Sequence, residues 1–177
     1  MFSAFSLFAG MLAVLLASGC ATKIDLAEPS AKLAQQKNIA QQWAGKLKRN
    51  PPADAAALRT AEAKYREAAS QNRGYLEAVA NGIINNDNLE SNPKYEALAE
   101  KASSSTKDFV DFAQQASGAL EPASAGTVII ARVLVESGIA IWKAHRAETQ
   151  AQRVAAADRL ISQNSWEDWD KINTGGQ

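Results

Sequence analysis

Apolar side chains recur through most of this chain at alternating spacings of three and four residues, the period of helices that bury one face. Leu33, Gln36, Ala40, Trp43 and Leu47 form the first such stripe, with Ile39 beside it. Pro29 suits its first turn, where a missing N–H costs nothing. Lys46, Lys48 and Arg49 suit its end, where cations complement the helix dipole. Asn50-Pro51-Pro52 stops it. Asp54 then stands where an N-cap belongs, and Leu58, Ala61, Tyr65, Ala68, Asn72, Tyr75 and Val79 resume the period, flanked by Leu76 and Ile83. Gly74 and Gly82 weaken the later half of this second helix by about 1 kcal/mol each relative to Ala. Asn85-Asn86-Asp87-Asn88 closes it.

Ser91 or Asn92, followed by Pro93, starts a third helix whose stripe is the cleanest in the chain: Tyr95, Leu98, Ala102, Ser105, Phe109, Phe112 and Ala116. After a connection containing Pro122, the fourth segment reads as one long helix from residue 127 to about 163. Its first half is apolar on nearly every side, interrupted by Arg132, Glu136 and Ser137, which predicts a central position wrapped by neighbours. Its second half is rich in alanine and charge. Ser165-Trp166-Glu167-Asp168 has the form of a capping box for a last short helix carrying Trp166, Trp169 and Ile172 on one face. Four main helices joined by short connections predict an all-α, four-helix bundle-like fold with antiparallel neighbours, one long central helix and a short C-terminal helix. Phe109 and Phe112 are expected to pack against Val133, Leu134 and Ile141.

Composition narrows the picture. The chain has 177 residues, 19 basic against 19 acidic, one Cys and one His. That length fits one domain. Zero net charge argues against a nucleic-acid binder, and one Cys with one His excludes both an internal disulfide and a Cys/His zinc site. Thirty-six residues are Ala, so helices are favoured and their interfaces should be slim.

The first 22 residues carry no charged side chain, and Lys23 is the first. An apolar run followed by small residues is a secretory signal rather than part of the fold. Here the small residues Ala17, Ser18 and Gly19 lead straight into Cys20, which resembles the lipobox of bacterial lipoproteins, although Leu16 stands one place before the position where that family usually carries Leu. The resemblance implies that Cys20 receives a lipid and becomes the first residue of the mature protein, with residues 1–19 removed and residues 20–28 serving as a tether. It covers these first residues alone. Residues 29–172 would form the bundle and 173–177 a loose end. Several acyl chains hold a protein stably where one does not. Ala21 stands where an Asp would resemble the inner-membrane retention signal, so the implied location is the periplasmic face of the outer membrane. An uncleaved transmembrane anchor is the alternative, because about 20 apolar residues suffice to span, and no Lys or Arg precedes the run.

Candidate chemistry is sparse. His145 follows Trp142 by three positions and so shares its face; Glu136 or Glu148 are the acids that would activate it, whereas the structural reading is a histidine at the edge of the core. Arg132 and Glu136, four apart, read either as a pair gripping a ligand or as an intrahelical ion pair on a surface strip. Glu167, Asp168 and Asp170 read as a solvated helix start rather than a metal site. Trp166 and Trp169 either lie at a membrane interface, anchor a partner or staple the last helix to the bundle. No nucleophile motif, phosphate loop or metal motif occurs, and no metal or cofactor is expected. The sequence therefore reads as a lipid-anchored, non-enzymatic binding or scaffold protein with a protein partner. Two alternatives are a small-ligand carrier or sensor with a pocket near Trp142 and Arg132, and an envelope inhibitor or immunity factor. A cavity of several hundred cubic ångströms beside Trp142 would favour the carrier; a dry core with an apolar outer patch would favour the scaffold.

Overall fold

The computed structural model describes residues 23–100 and 125–165, apart from the side chains of 97, 98, 100 and 125. The described residues form five helices: α1 (Ala27–Arg49), α2 (Ala55–Asn85), α3 (Lys94–Glu100), α4 (Ala125–His145) and α5 (Gln150–Asn164). The expected α-helical bundle is present. The third stripe beyond residue 100, with Phe109 and Phe112, and the last short helix lie outside the described residues.

The boundaries of α1 and α2 follow their sequence signals. The Asp54 carboxylate accepts the Ala57 N–H at 2.8 Å as the N-cap of α2. The Asn50 N–H closes α1 on the Lys46 carbonyl. The helix starts two residues before Pro29, with the Asp25 carboxylate accepting the Ala27 N–H. Ala34, Ala40 and Ala44 of α1 and Ala61, Ala68 and Ala80 of α2 are buried, the slim interface that an alanine-rich sequence allows. Asn72, wholly buried, donates to the Leu33 carbonyl and cross-links the two helices.

The long fourth helix is instead two. The chain leaves α4 at His145 and re-enters a helix at Gln150, where the Thr149 hydroxyl accepts the Gln152 N–H and the Gln152 side chain accepts the Thr149 N–H. This reciprocal capping box supplies partners to orphan amides that a continuous helix would have satisfied internally, so the break is stable without Gly or Pro. Folded back, α5 packs on both α2 and α4. The placement of α4 is as expected: it touches α1, α2, α3 and α5, and Val133, Val135, Ile139 and Ile141 are buried along it. The main core joins Val133 and Ile141 to Leu33, Leu76, Val79, Ile83 and Leu160. A second cluster, Ala40, Ala44, Tyr65 and Ala68 with Trp43 and Leu47 against it, is built by α1 and α2 alone. Among the described residues no helix is long and apolar enough to cross a membrane.

The expected tether is shorter than its sequence suggests. Ile24 pairs with Leu89 in an isolated parallel bridge, its N–H donating to Asn88 and its carbonyl accepting from Glu90. Leu26 is buried against Gly82, where an added Cβ would stand 2.7 Å from the leucine Cδ2. Gly82 is therefore the seat of Leu26, and not simply a weak point in α2.

Candidate functional site

One end of the bundle is gathered around the connection between α2 and α3. The Leu89 carbonyl accepts a hydrogen bond from His145 Nδ1 at 2.9 Å, which fixes the proton on that nitrogen. Arg153 of α5 donates to the Asn86 carbonyl and pairs with Asp87, and Gln150 donates to the Ile84 carbonyl. The segment that follows the first 22 residues thus meets the end of α2, the end of α4 and the start of α5 at one place. His145 acts there as a clasp. Its side chain is exposed apart from this bond to the carbonyl of a core residue, and no carboxylate pairs with it among the described residues.

At the same end α4 and α5 leave between them an open cleft of about 450 Å3, lined by Trp142, Lys143, Arg146, Gln152, Ala156 and Arg159, with further alanines between them. The volume lies in the range of ligand pockets. Three cations and an indole line it, and no acidic residue does so among the described residues. Arg146 lies over the Trp142 ring, 5.6 Å from its centre, and pairs with Glu96 at 3.0 Å. Lys143 and Arg159 have no ion pair among the described residues. Burial, and then the like charge of Arg159, hold the Lys143 ammonium below the usual lysine range. Like charges brought together without a counter-charge, beside an aromatic face, are the arrangement that an anion with an apolar portion would satisfy.

The Arg132–Glu136 pair lies elsewhere; it forms the intrahelical ion pair, but not on a surface strip. Ten residues separate Arg132 from Trp142, about 15 Å along the helix, and Arg132 does not line the cleft. Its Nε bonds Glu136 Oε1 at 2.8 Å, as an intrahelical pair should. Glu136, however, is buried rather than on a surface strip. Its other oxygen accepts from Asn164 Nδ2 at 3.2 Å, and the Asn164 amide oxygen accepts from Lys37 Nζ at 2.6 Å. The result is a knot of polar side chains tying α1, α4 and the end of α5. A small cavity lined by Glu136, Lys143, Arg159 and Gln163 adjoins the cleft and shares its two cations.

A second cavity, about 490 Å3, opens between the start of α1, residues 90–95 and α4. Its charges are already engaged: Asp25 caps Ala27 and Glu90 pairs with Lys23. Trp166 and Trp169 lie outside the described residues, as do Glu167, Asp168 and Asp170. No cluster of metal-binding side chains occurs among the described residues. The convergence of Lys143, Arg146 and Arg159 was not read from the sequence. In one continuous helix Arg159 would stand about 24 Å from Lys143, and only the turn at Thr149 folds it back; the signal is Thr149-Gln150-Ala151-Gln152, a capping-box pattern inside an otherwise periodic stretch. No protein-family model, curated protein or solved structure matches the chain, so the functional reading rests on these residues.

Proposed function

We propose that this chain is a lipid-anchored, periplasm-facing binding protein of the bacterial envelope, held at the outer membrane through Cys20, that takes an anionic ligand in the cleft between α4 and α5. The observation that carries the reading is the cleft beside Trp142, in which Lys143 and Arg159 have no ion pair among the described residues. A cavity of this size at Trp142 is the feature that separates a ligand carrier from a scaffold. The exposed large apolar side chains among the described residues are Val154 and Ile161, both on α5, which is little surface for a scaffold to use. Binding without catalysis agrees with a site that offers charge and an aromatic face to a ligand, while His145 is committed to the Leu89 carbonyl.

Calorimetric titration of the full chain with phenyl phosphate, and with benzyl alcohol as its uncharged counterpart, tests the reading. Saturable binding of phenyl phosphate is expected, weakened about tenfold by Arg159→Gln, the usual loss for one hydrogen bond to a charged group. Benzyl alcohol should bind far more weakly. Equal binding of the two probes, or no binding of phenyl phosphate, would overturn the proposal. A protein partner is the second reading, favoured by Trp43, Ile39 and Leu47, which lie half-buried over the cluster that α1 and α2 build alone; Lys46 stands 4.8 Å over the Trp43 ring.

A further inference from the structure

Two separate observations meet at one end of this molecule. The first is the cationic cleft itself. The second is where the chain enters the fold. Lys23 follows Cys20 by three residues, which span at most about 11 Å when fully extended. From Ile24 onward the chain is fixed to the bundle by its bridge to Leu89. The same Leu89 accepts the hydrogen bond of His145, one helical turn beyond Trp142. A pocket lined by Ser91, Pro93, Glu96, Trp142, His145 and Arg146 continues from that connection to the cleft residues, with Glu96 paired to Arg146. A chain tied by a lipid at Cys20 therefore carries the Trp142 end of the bundle against the bilayer surface.

We infer that the occupant of the cleft is the phosphate-bearing headgroup of an anionic phospholipid in the membrane that holds the protein. The inference rests on the anion-binding and lipid-anchor readings above and adds the source of the anion. Three features of the site fit that source. A phosphodiester offers the negative charge that Lys143 and Arg159 lack, and cations near a membrane surface act on such headgroups over short range. Trp142 is an amphipathic ring of the kind that rests at headgroup depth. The cleft is open along α4 and α5 and not enclosed, so a headgroup can enter while its acyl chains stay in the bilayer.

Native mass spectrometry of the lipidated full chain in detergent discriminates the sources. The probes are dihexanoyl phosphatidylglycerol, dihexanoyl phosphatidylcholine and glycerol 1-phosphate, each titrated against the wild type and against Arg159→Gln, Lys143→Gln and Arg59→Gln. Arg59 is an exposed cation of α2 remote from the cleft and serves as the control. Expected are at least tenfold tighter binding of the phosphatidylglycerol than of the phosphatidylcholine, a loss of about tenfold in each cleft variant, and no change in Arg59→Gln. Circular dichroism of each variant reports whether it is folded, and Lys143→Gln stands independently of Arg159→Gln. If glycerol 1-phosphate binds as tightly as the phosphatidylglycerol, the cleft serves a soluble ester and the lipid source is refuted while anion binding survives. Equal binding of the two lipids, or equal loss in Arg59→Gln, refutes a headgroup site in the cleft. If phenyl phosphate also fails to bind, the functional reading falls with it.

Discussion

Glu136 carries more of the fold than its place in the sequence suggested. Arg132 and Glu136 were legible as an i,i+4 pair, and that pair forms. What could not be read was which end of it sinks into the protein, because Asn164 and Lys37 come from 28 and 99 residues away. Removing the carboxylate charge leaves Asn164 and Lys37 with a poorer partner in a buried place, so Glu136→Gln should lower stability by about 1–3 kcal/mol in urea melts. Burial lowers the Lys37 pKa, whereas the charge of Glu136 raises it; in Glu136→Gln the Lys37 ammonium should therefore titrate at still lower pH, read from its side-chain nitrogen by NMR. Lys143 supplies a pH test of the cleft. Arg159 faces it across the cleft, Arg146 follows it by three residues on its own side, and Glu136 shares the adjoining small cavity. Its lowered pKa means that it loses its charge at a lower pH than an ordinary lysine does. Phenyl phosphate affinity should be full below that lowered value and decline as pH rises through it, ahead of 10.5. Affinity that stays flat up to the ordinary lysine range would remove Lys143 from the site.

At the scale of the helices, the outcome follows which breaks are announced by residue type. α1 and α2 end and begin at Pro, Asp and Asn, and their limits were legible. The break between α4 and α5 contains neither Gly nor Pro. Apolar periodicity runs through it, from Trp142 to Val154, and periodicity alone reads as one continuous helix. Side-chain caps make the break, so Thr149→Ala should cost about 1 kcal/mol, the usual worth of an N-cap, in thermal or urea unfolding. The placement of α3 depends on another contact that pattern does not encode. Tyr95 lies directly over Gly138, in the space where any Cβ on α4 would stand. Gly138→Ala gains roughly 1 kcal/mol of helix propensity but forces the ring of Tyr95 off α4, and overpacking of this kind costs about 1–3 kcal/mol. A net destabilisation is expected, accompanied by loss of the Tyr95 ring shifts in NMR spectra. A variant as stable as wild type with those shifts intact would show that the ring is easily accommodated elsewhere.

The bundle class was legible from stripes and connection lengths because both are set locally. The cleft was not, since it exists only once α5 has folded back and brought Arg159 to Lys143. The lipid address proposed for Cys20 is tested directly: Cys20→Ser should abolish labelling by radioactive palmitate and leave an uncleaved precursor, and a Ser variant processed and retained like wild type would eliminate the anchor. The bridge between Ile24 and Leu89 gives that anchor a mechanical meaning. A long loose leader would let the domain roam through a hemisphere above the bilayer and present every face in turn. With the bridge at Ile24, the proposed anchor at Cys20 would leave three residues between lipid and domain and would keep one end of the bundle low. Encounter with a membrane-borne ligand then becomes a search in two dimensions, governed by how fast neighbours drift past within the leaflet and by a local concentration that a leash sets through its length. Inserting ten Gly/Ser residues before Lys23 should dilute that encounter in vesicles while leaving every contact in the cleft untouched.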